Sequence, residues 1–210
     1  GAISLIKKYY PEIKLVGNKK TLDMVQGFYG ATSANDVMVK DGDTLSLGHH
    51  QLKFYLTPML HWPETMMTYD ETEHILFSGD AFGCFGALNG AVIDTQMDTT
   101  PYFPEMERYY ATILGKFGAM VQAGLKKLAG VDIRTICSTH GPVWTAQIPQ
   151  VIETYRRLAM GETEQGLVIC YGSMYGNTER VAEAIAQGAA QAGIKKIVVH
   201  NLSVSPMSAV

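Results

Sequence analysis

The feature that most constrains the fold is a change of hydrophobic pattern near residue 160. Before it, short alternating segments separated by polar turns occupy residues 37–77, which is typical of antiparallel strands and hairpins. After it, residues 167–171 are continuously apolar, as in a strand buried on both faces. A loop, a helical pattern at 178–192 and a second apolar segment at 196–199 follow. The two patterns predict two domains with different kinds of sheet.

The length of the chain is consistent with this division. At about 150 residues per domain, a chain of 210 residues allows one large domain or two small ones. The polar stretch 161–166 has no periodic pattern and is predicted to link domains at 1–160 and 167–210. The segment after the linker has about 45 residues where a compact domain has about 100–150. We therefore expect a fragment of a longer protein.

The charge balance indicates which kinds of partner to expect. Seventeen Lys and Arg residues against twenty Asp and Glu residues give a net charge of −3, and no basic block occurs. Binding to nucleic acid or to an anionic membrane normally needs such a block, so neither partner is expected. The sequence also has no apolar stretch of about 18 residues and no signal-peptide core. Three widely spaced cysteines complete a composition that favours a cytoplasmic location and small-molecule chemistry.

Three polar residues follow three apolar segments of the first domain. His61, Asp80 and His140 each lie where a predicted strand gives way to a loop. Side chains at strand ends are held by a rigid scaffold and still reach the surface, as a metal site requires. Two imidazoles and a carboxylate suit Fe, Mn or Zn, and a carboxylate can bridge two ions. On spacing alone, a core role for the histidines and a capping role for Asp80 are equally compatible with the sequence.

A second group of candidate residues lies between a predicted strand and a predicted helix. The hydroxyls of Ser173 and Thr178, the Asn177 amide and backbone N–H groups at a helix N-terminus are suited to a phosphate dianion. The loop lacks the lysine of a nucleoside-triphosphate loop. The alternative is a glycine turn with a Ser or Thr cap.

The amino-acid sequence of these segments resembles that of the flavodiiron proteins, or A-type flavoproteins. The resemblance covers nearly the whole chain and is strongest at MLHWP (59–63), SGDAFG (78–83) and THGPVW (139–144). It implies an α/β fold, with a partial β-lactamase-like αββα sandwich followed by the start of a flavodoxin-like doubly wound domain. It also implies that His61 and His140 ligate one iron or the other and that Asp80 bridges both.

The same resemblance implies the remaining cofactor and the reaction. The loop would hold the FMN phosphate through Ser173, Met174, Tyr175, Gly176, Asn177 and Thr178. A non-haem centre of two Fe ions would reduce O2 to water or NO to N2O, fed by FMN. The implied electron donor is rubredoxin or a flavin- or NADH-linked reductase. The implied assembly is a head-to-tail homodimer or a dimer of dimers.

Family proteins also carry a first ligand motif, H-x-E-x-D-H, which precedes a helix like the one predicted at residues 2–10. The chain opens at Gly1 without that motif. Two other functions remain open at this point. One is a zinc hydrolase of the β-lactamase-like superfamily, and the other is a non-catalytic, flavodoxin-type electron carrier.

Overall fold

A computed structural model describes residues 2–205 as two compact units, divided between Gly161 and Glu162. The first unit contains seven strands and the second contains two, counting only the described residues. The strands of the first unit are β1 (Val16–Gly17), β2 (Val37–Met38), β3 (Thr44–Ser46), β4 (Gln51–Leu56), β5 (Met66–Asp70), β6 (Ile75–Gly79) and β7 (Thr135–Ser138).

Five of these strands form one sheet in the order β3-β4-β5-β6-β7. The pairs from β3 to β6 are antiparallel, whereas β6 and β7 are parallel. The antiparallel hairpins were expected from the alternating pattern. A separate parallel ladder joins β1 and β2.

Helices connect and cover these strands. They are α1 (Ile3–Tyr9), α2 (Lys19–Tyr29), α3 (Tyr102–Tyr109), α4 (Gly118–Leu128) and α5 (Ile148–Ala159). A π turn at Tyr110–Leu114 and a 3-10 turn at Gly115–Phe117 separate α3 from α4, and the glycines at 115 and 118 make this the expected point of interruption. No helix within residues 2–205 is long and apolar enough to span a lipid bilayer.

The core of the first unit lies between the five-stranded sheet and helices α3 to α5. Tyr69, Leu76 and Ile136 form one cross-strand row over β5, β6 and β7, and all three are buried. Met106 from α3 and Tyr155 from α5 belong to the same buried cluster. Burial of this apolar surface, at about 25 cal/mol per Å², fixes which face of the sheet carries the helices.

The start of α2 differs from the sequence-based expectation. The spacing of apolar residues predicts a helix over residues 21–28 with Thr21 as its cap, whereas α2 begins at Lys19 and Asn18 is its cap. The Asn18 side chain accepts a hydrogen bond from the Thr21 N–H at 3.1 Å and donates one to the Glu64 carbonyl at 2.6 Å. The apolar period alone could not locate this cap, because the Glu64 contact is tertiary.

The second unit is a βαβ arrangement. It consists of β8 (Leu167–Tyr171), α6 (Asn177–Gln191) and β9 (Ile197–Asn201), and the two strands are parallel. Burial of β8 on both faces was predicted and is wrong for the described residues, since Val168 is 61% exposed. The single helix of this unit covers one face of a two-stranded ladder and leaves the other face open.

Asp36 ties together the beginning of the first unit. Its carboxylate accepts hydrogen bonds from the backbone N–H groups of Leu15 (2.8 Å) and Ser33 (2.7 Å) and pairs with the Lys7 ammonium at 3.0 Å. Burial alone would raise the pKa of Asp36, but these donors outweigh it and lower the pKa from 3.8 to about 2. The carboxylate therefore stabilises the fold only while it is ionised.

The lowered pKa of Asp36 links the stability of the fold to pH and predicts how the protein unfolds in acid. A lowered folded-state pKa means that the contribution of Asp36 is complete above about pH 5 and is lost as the pH falls toward 2. In urea titrations, Asp36→Asn should lower stability at pH 6 and flatten its decline between pH 5 and pH 2.5. Trp62 and Trp144 both lie in the first unit, so tryptophan fluorescence follows that unit.

The exposed Asp23 supplies the control, because it forms a surface ion pair with Lys19 one helical turn away. Asp23→Asn should lose stability at low pH in the same way as the wild type does. An Asp36→Asn variant with the wild-type pH dependence would contradict the linkage.

Candidate functional site

Strand direction brings three loops to one edge of the sheet. Since β5 is antiparallel to both β4 and β6, and β7 is parallel to β6, the strands β4, β6 and β7 all run the same way. Their carboxyl ends therefore lie along a single edge. His61 is in the loop after β4, Asp80 directly follows β6, and His140 lies two residues beyond β7.

The three side chains meet at this edge. The Asp80 Oδ2 atom is 3.0 Å from His61 Nε2, and the other oxygen, Oδ1, is 3.6 Å from His140 Nε2. His61 and Asp80 are largely covered, whereas the His140 side chain is 57% exposed. One carboxylate thus presents a different oxygen to each imidazole, and the group is open to solvent on the His140 side.

Buried hydrogen bonds hold the loop that carries Asp80. The Ser78 hydroxyl donates to the Ala81 carbonyl at 2.7 Å, so the loop folds back on the end of β6. The Trp144 indole N–H donates to the Phe82 carbonyl at 3.1 Å, and the Tyr155 hydroxyl donates to the Gly83 carbonyl at 3.1 Å. Both donors are fully buried, so the Asp80 loop is held from the core side by α5, which carries Tyr155, and by the segment between β7 and α5, which carries Trp144.

Two of the three described non-glycine residues with positive φ lie in these loops, and the third, His74, lies in the β5–β6 hairpin. Phe82 has φ +64° and Met59 has φ +68°, in the left-handed region that disfavours residues with a Cβ. Each such residue costs roughly 1–2 kcal/mol, which surrounding contacts must offset. The Phe82 ring packs at 5.0 Å from the Tyr155 ring in the core. Strain of this kind is characteristic of functional loops and agrees with the position of the polar group.

The loop after β7 packs tightly against Cys84. Gly141 has φ +88°, and a Cβ there would lie 2.3 Å from the Cys84 sulfur, so only glycine fits. Burial, with a smaller effect of the Glu105 charge, raises the pKa of the Cys84 thiol to about 12. Cys84 is therefore a protonated packing residue at neutral pH and not a nucleophile.

Tyr109 is a site neighbour that the sequence did not reveal. Its helical spacing predicts core packing, and it is buried, but its ring also lies 5.6 Å from the His140 ring. Burial and the nearby Asp80 charge raise its pKa, so the phenol stays protonated at neutral pH. No periodicity could show this contact, because it joins α3 to a loop 31 positions further along the sequence.

The donor chemistry fits part of a metal centre. Two imidazole nitrogens and a bridging-capable carboxylate are non-haem metal ligands, and their separations are close to those of ligands sharing an ion. Within residues 2–205, however, no three His, Cys, Asp or Glu side chains already form a complete metal-holding group. The remaining histidines of the first unit lie at the opposite edge, where His50 pairs with Asp70 and His74 with Asp132.

The second candidate site lies between β8 and α6. Gly176 has φ +79° and directly precedes α6, and no side chain caps the start of that helix within the described part of the chain. Met174 and Tyr175 are each 85% exposed. The Ser or Thr cap of the alternative interpretation is thus not formed, and the first N–H groups of α6 remain available to a ligand.

Comparison with known proteins identifies the family of the chain. A family model described as "ODP family beta lactamase" matches residues 1–141, and a flavodoxin model matches residues 169–209. The flavodiiron protein from Giardia intestinalis superposes with a TM-score of 0.88 at 31% identity, covering 98% of this chain and 51% of that one. The chain belongs to the flavodiiron protein family. The resemblance and the predicted fold class are confirmed.

Other relatives of this flavodiiron chain carry functional names. The rubredoxin oxygen:oxidoreductase of Desulfovibrio gigas has a TM-score of 0.91 at 25% identity and covers 99% of this chain and 52% of its own. An anaerobic nitric oxide reductase flavorubredoxin homolog of Escherichia coli O157:H7 is 35% identical over 194 residues, 91% of this chain and 47% of its own length. The chain thus spans about half the length of these relatives.

The hydrogen bond from Tyr155 to the Asp80 loop can be tested in the flavodiiron chain. Tyr155→Phe leaves the Gly83 carbonyl buried without its donor, which should lower the free energy of unfolding by about 1–3 kcal/mol. Urea unfolding followed by tryptophan fluorescence measures this change.

Tyr110→Phe is the matched control. The Tyr110 ring packs edge-on against Tyr155 at 5.4 Å, but its buried hydroxyl has no partner among the described residues. Removing that hydroxyl should be neutral or stabilising. Equal losses in the two variants would show that the Gly83 hydrogen bond does not hold the loop.

Proposed function

We propose that this chain forms part of a flavodiiron oxidoreductase that reduces O2 or NO with electrons passed through FMN. The observation that carries the proposal is the Asp80 carboxylate with one oxygen facing each of two imidazoles. Family membership supports it, because relatives named for oxygen and nitric oxide reduction cover nearly all of this chain.

His61, Asp80 and His140 are the residues that would hold the two irons. A carboxylate with oxygens turned toward different donors is suited to bridging two ions, while each imidazole supplies one neutral nitrogen. When bound, the irons supply the electrons and the Lewis acidity that a diatomic substrate requires. Three side chains are too few for two ions, so a complete centre needs donors beyond this group.

The neighbouring residues would keep that site ordered without supplying a base. Tyr109 and Cys84 are both buried and both protonated at neutral pH, so neither acts as a base. The close approach of Gly141 to the Cys84 sulfur would hold the His140 loop against the core. His140 itself is exposed on its outer side, which leaves an approach for substrate or for the cofactor.

The loop before α6 would hold the FMN phosphate. Ser173, Asn177 and Thr178 supply polar side chains, Gly176 allows the left-handed turn, and the helix N-terminus supplies N–H groups. Met174 and Tyr175 project into solvent from this loop and would pack against the ligand. The flavodoxin match over residues 169–209 supports this assignment.

The electron donor, the subunit assembly and the cellular location are also proposals. We expect rubredoxin or a flavin- or NADH-linked reductase as the electron donor, since two relatives carry rubredoxin in their names. A head-to-tail dimer would bring the FMN of one subunit to the iron site of its partner. A cytoplasmic location fits the composition. A zinc hydrolase would not require a flavodoxin segment, so the match at 169–209 favours the redox function.

The metal assignment is tested in the full-length protein. After anaerobic reconstitution with Fe²⁺, His140→Asn should lose at least half of the bound iron and nearly all O2 and NO consumption, with FMN content unchanged. The control is His49→Asn, since His49 is similarly exposed and lies outside the site. Wild-type protein holding less than one iron per chain would contradict the assignment, and unchanged gas consumption in His140→Asn would favour a pure electron carrier.

The flavin assignment has its own test. Asn177→Ala combined with Thr178→Ala should weaken FMN binding at least tenfold, because both residues begin α6 and face the proposed phosphate. Flavin absorbance after gel filtration measures retention, and iron content should stay at the wild-type level. Full FMN retention in this double variant would place the phosphate elsewhere.

A further inference from the structure

Thr139 makes the shortest side-chain contact to the proposed bridging carboxylate. Its hydroxyl donates to Asp80 Oδ1 at 2.6 Å, and its backbone N–H donates to the Gly79 carbonyl at 2.9 Å. Thr139 thus forms hydrogen bonds both with the carboxylate and with the end of the strand that carries it. The oxygen that it contacts is the same one that faces His140.

A bulge in β6 creates this contact. Phe77 pairs with Cys137, but the next paired residues are Gly79 and Ser138, so Ser78 is an extra residue without a partner. Without the bulge, the register would place Asp80 level with His140. The bulge advances β6 by one residue and sets Asp80 level with Thr139. Bulges of this kind re-aim side chains beside functional sites.

Neighbouring hydroxyls have separate tasks in these loops. The Ser138 hydroxyl donates to the His140 carbonyl at 2.7 Å and the Ser78 hydroxyl donates to the Ala81 carbonyl at 2.7 Å. Both of these stabilise backbone. The Thr139 hydroxyl is the one that, within residues 2–205, donates to the Asp80 side chain. Because an ionised carboxylate only accepts hydrogen bonds, this donor fixes the rotation of the Asp80 group.

We infer that Thr139 is a positioning residue for metal binding, an inference that rests on the proposed diiron function. Its hydroxyl holds the Asp80 carboxylate so that Oδ1 points toward His140 and Oδ2 toward His61. Without it, the carboxylate rotates about its terminal bond, and an ion must restore the orientation when it binds. Loss of such an orienting partner typically lowers metal affinity by about 10–100-fold.

The experiment measures metal affinity in the full-length protein, using anaerobic Fe²⁺ titration against a competing chelator. Thr139→Val keeps the shape and removes the hydroxyl, Thr139→Ala is a second variant without it, and Thr139→Ser restores it. Thr44→Val is the matched control, because Thr44 is exposed on the edge strand β3. Tryptophan fluorescence in urea checks that the variants are folded.

We expect Val and Ala at position 139 to weaken Fe²⁺ binding by about 10–100-fold, while Ser and the Thr44 control remain within about threefold of wild type. Wild-type affinity in the Val and Ala variants would overturn the inference and leave the diiron proposal intact. A Ser variant as weak as Val would overturn the role of the hydroxyl. Wild-type protein that binds no Fe²⁺ would instead overturn the proposed function, and this inference with it.

Discussion

The common direction of β4, β6 and β7 is the constraint on which the rest of the site depends. Because β5 returns between β4 and β6, the loops after three separate strands open at one edge. The core below holds that edge through Tyr155 on α5 and Trp144 in the segment before α5, whose buried donors hydrogen-bond to the Asp80 loop. The core therefore supplies the precision that the exposed edge could not provide by itself, which is how rigid scaffolds support functional loops.

Local backbone strain occurs in the loops that carry the candidate ligands. Phe82 and Met59 occupy left-handed backbone conformations, and the bulge at Ser78 interrupts a ladder that is otherwise regular. Each departure costs stability, and the bulge shifts Asp80 by one residue relative to the regular strand register. The buried packing of the Phe82 ring against the Tyr155 ring offsets part of this cost.

The sequence predicted what depends on local pattern and missed what depends on tertiary register. The strand ends bearing His61, Asp80 and His140, and the interruption near Gly115, follow from periodicity and turn residues. The cap at Asn18, the contacts of Tyr109 and Thr139, and the open face of β8 require knowledge of which segments meet. The bulge is the clearest case, because the unpaired Ser78 shifts the register of Asp80 against β7 by one residue. No sequence pattern in β6 predicts this shift.

Iron-edge anomalous diffraction from crystals of the full-length, iron-loaded protein locates the metal. If His61, Asp80 and His140 hold the irons, two iron peaks should lie at the edge formed by β4, β6 and β7, within ligand distance of these side chains. Iron bound elsewhere, or an Asp80 carboxylate that contacts no iron, would contradict this assignment.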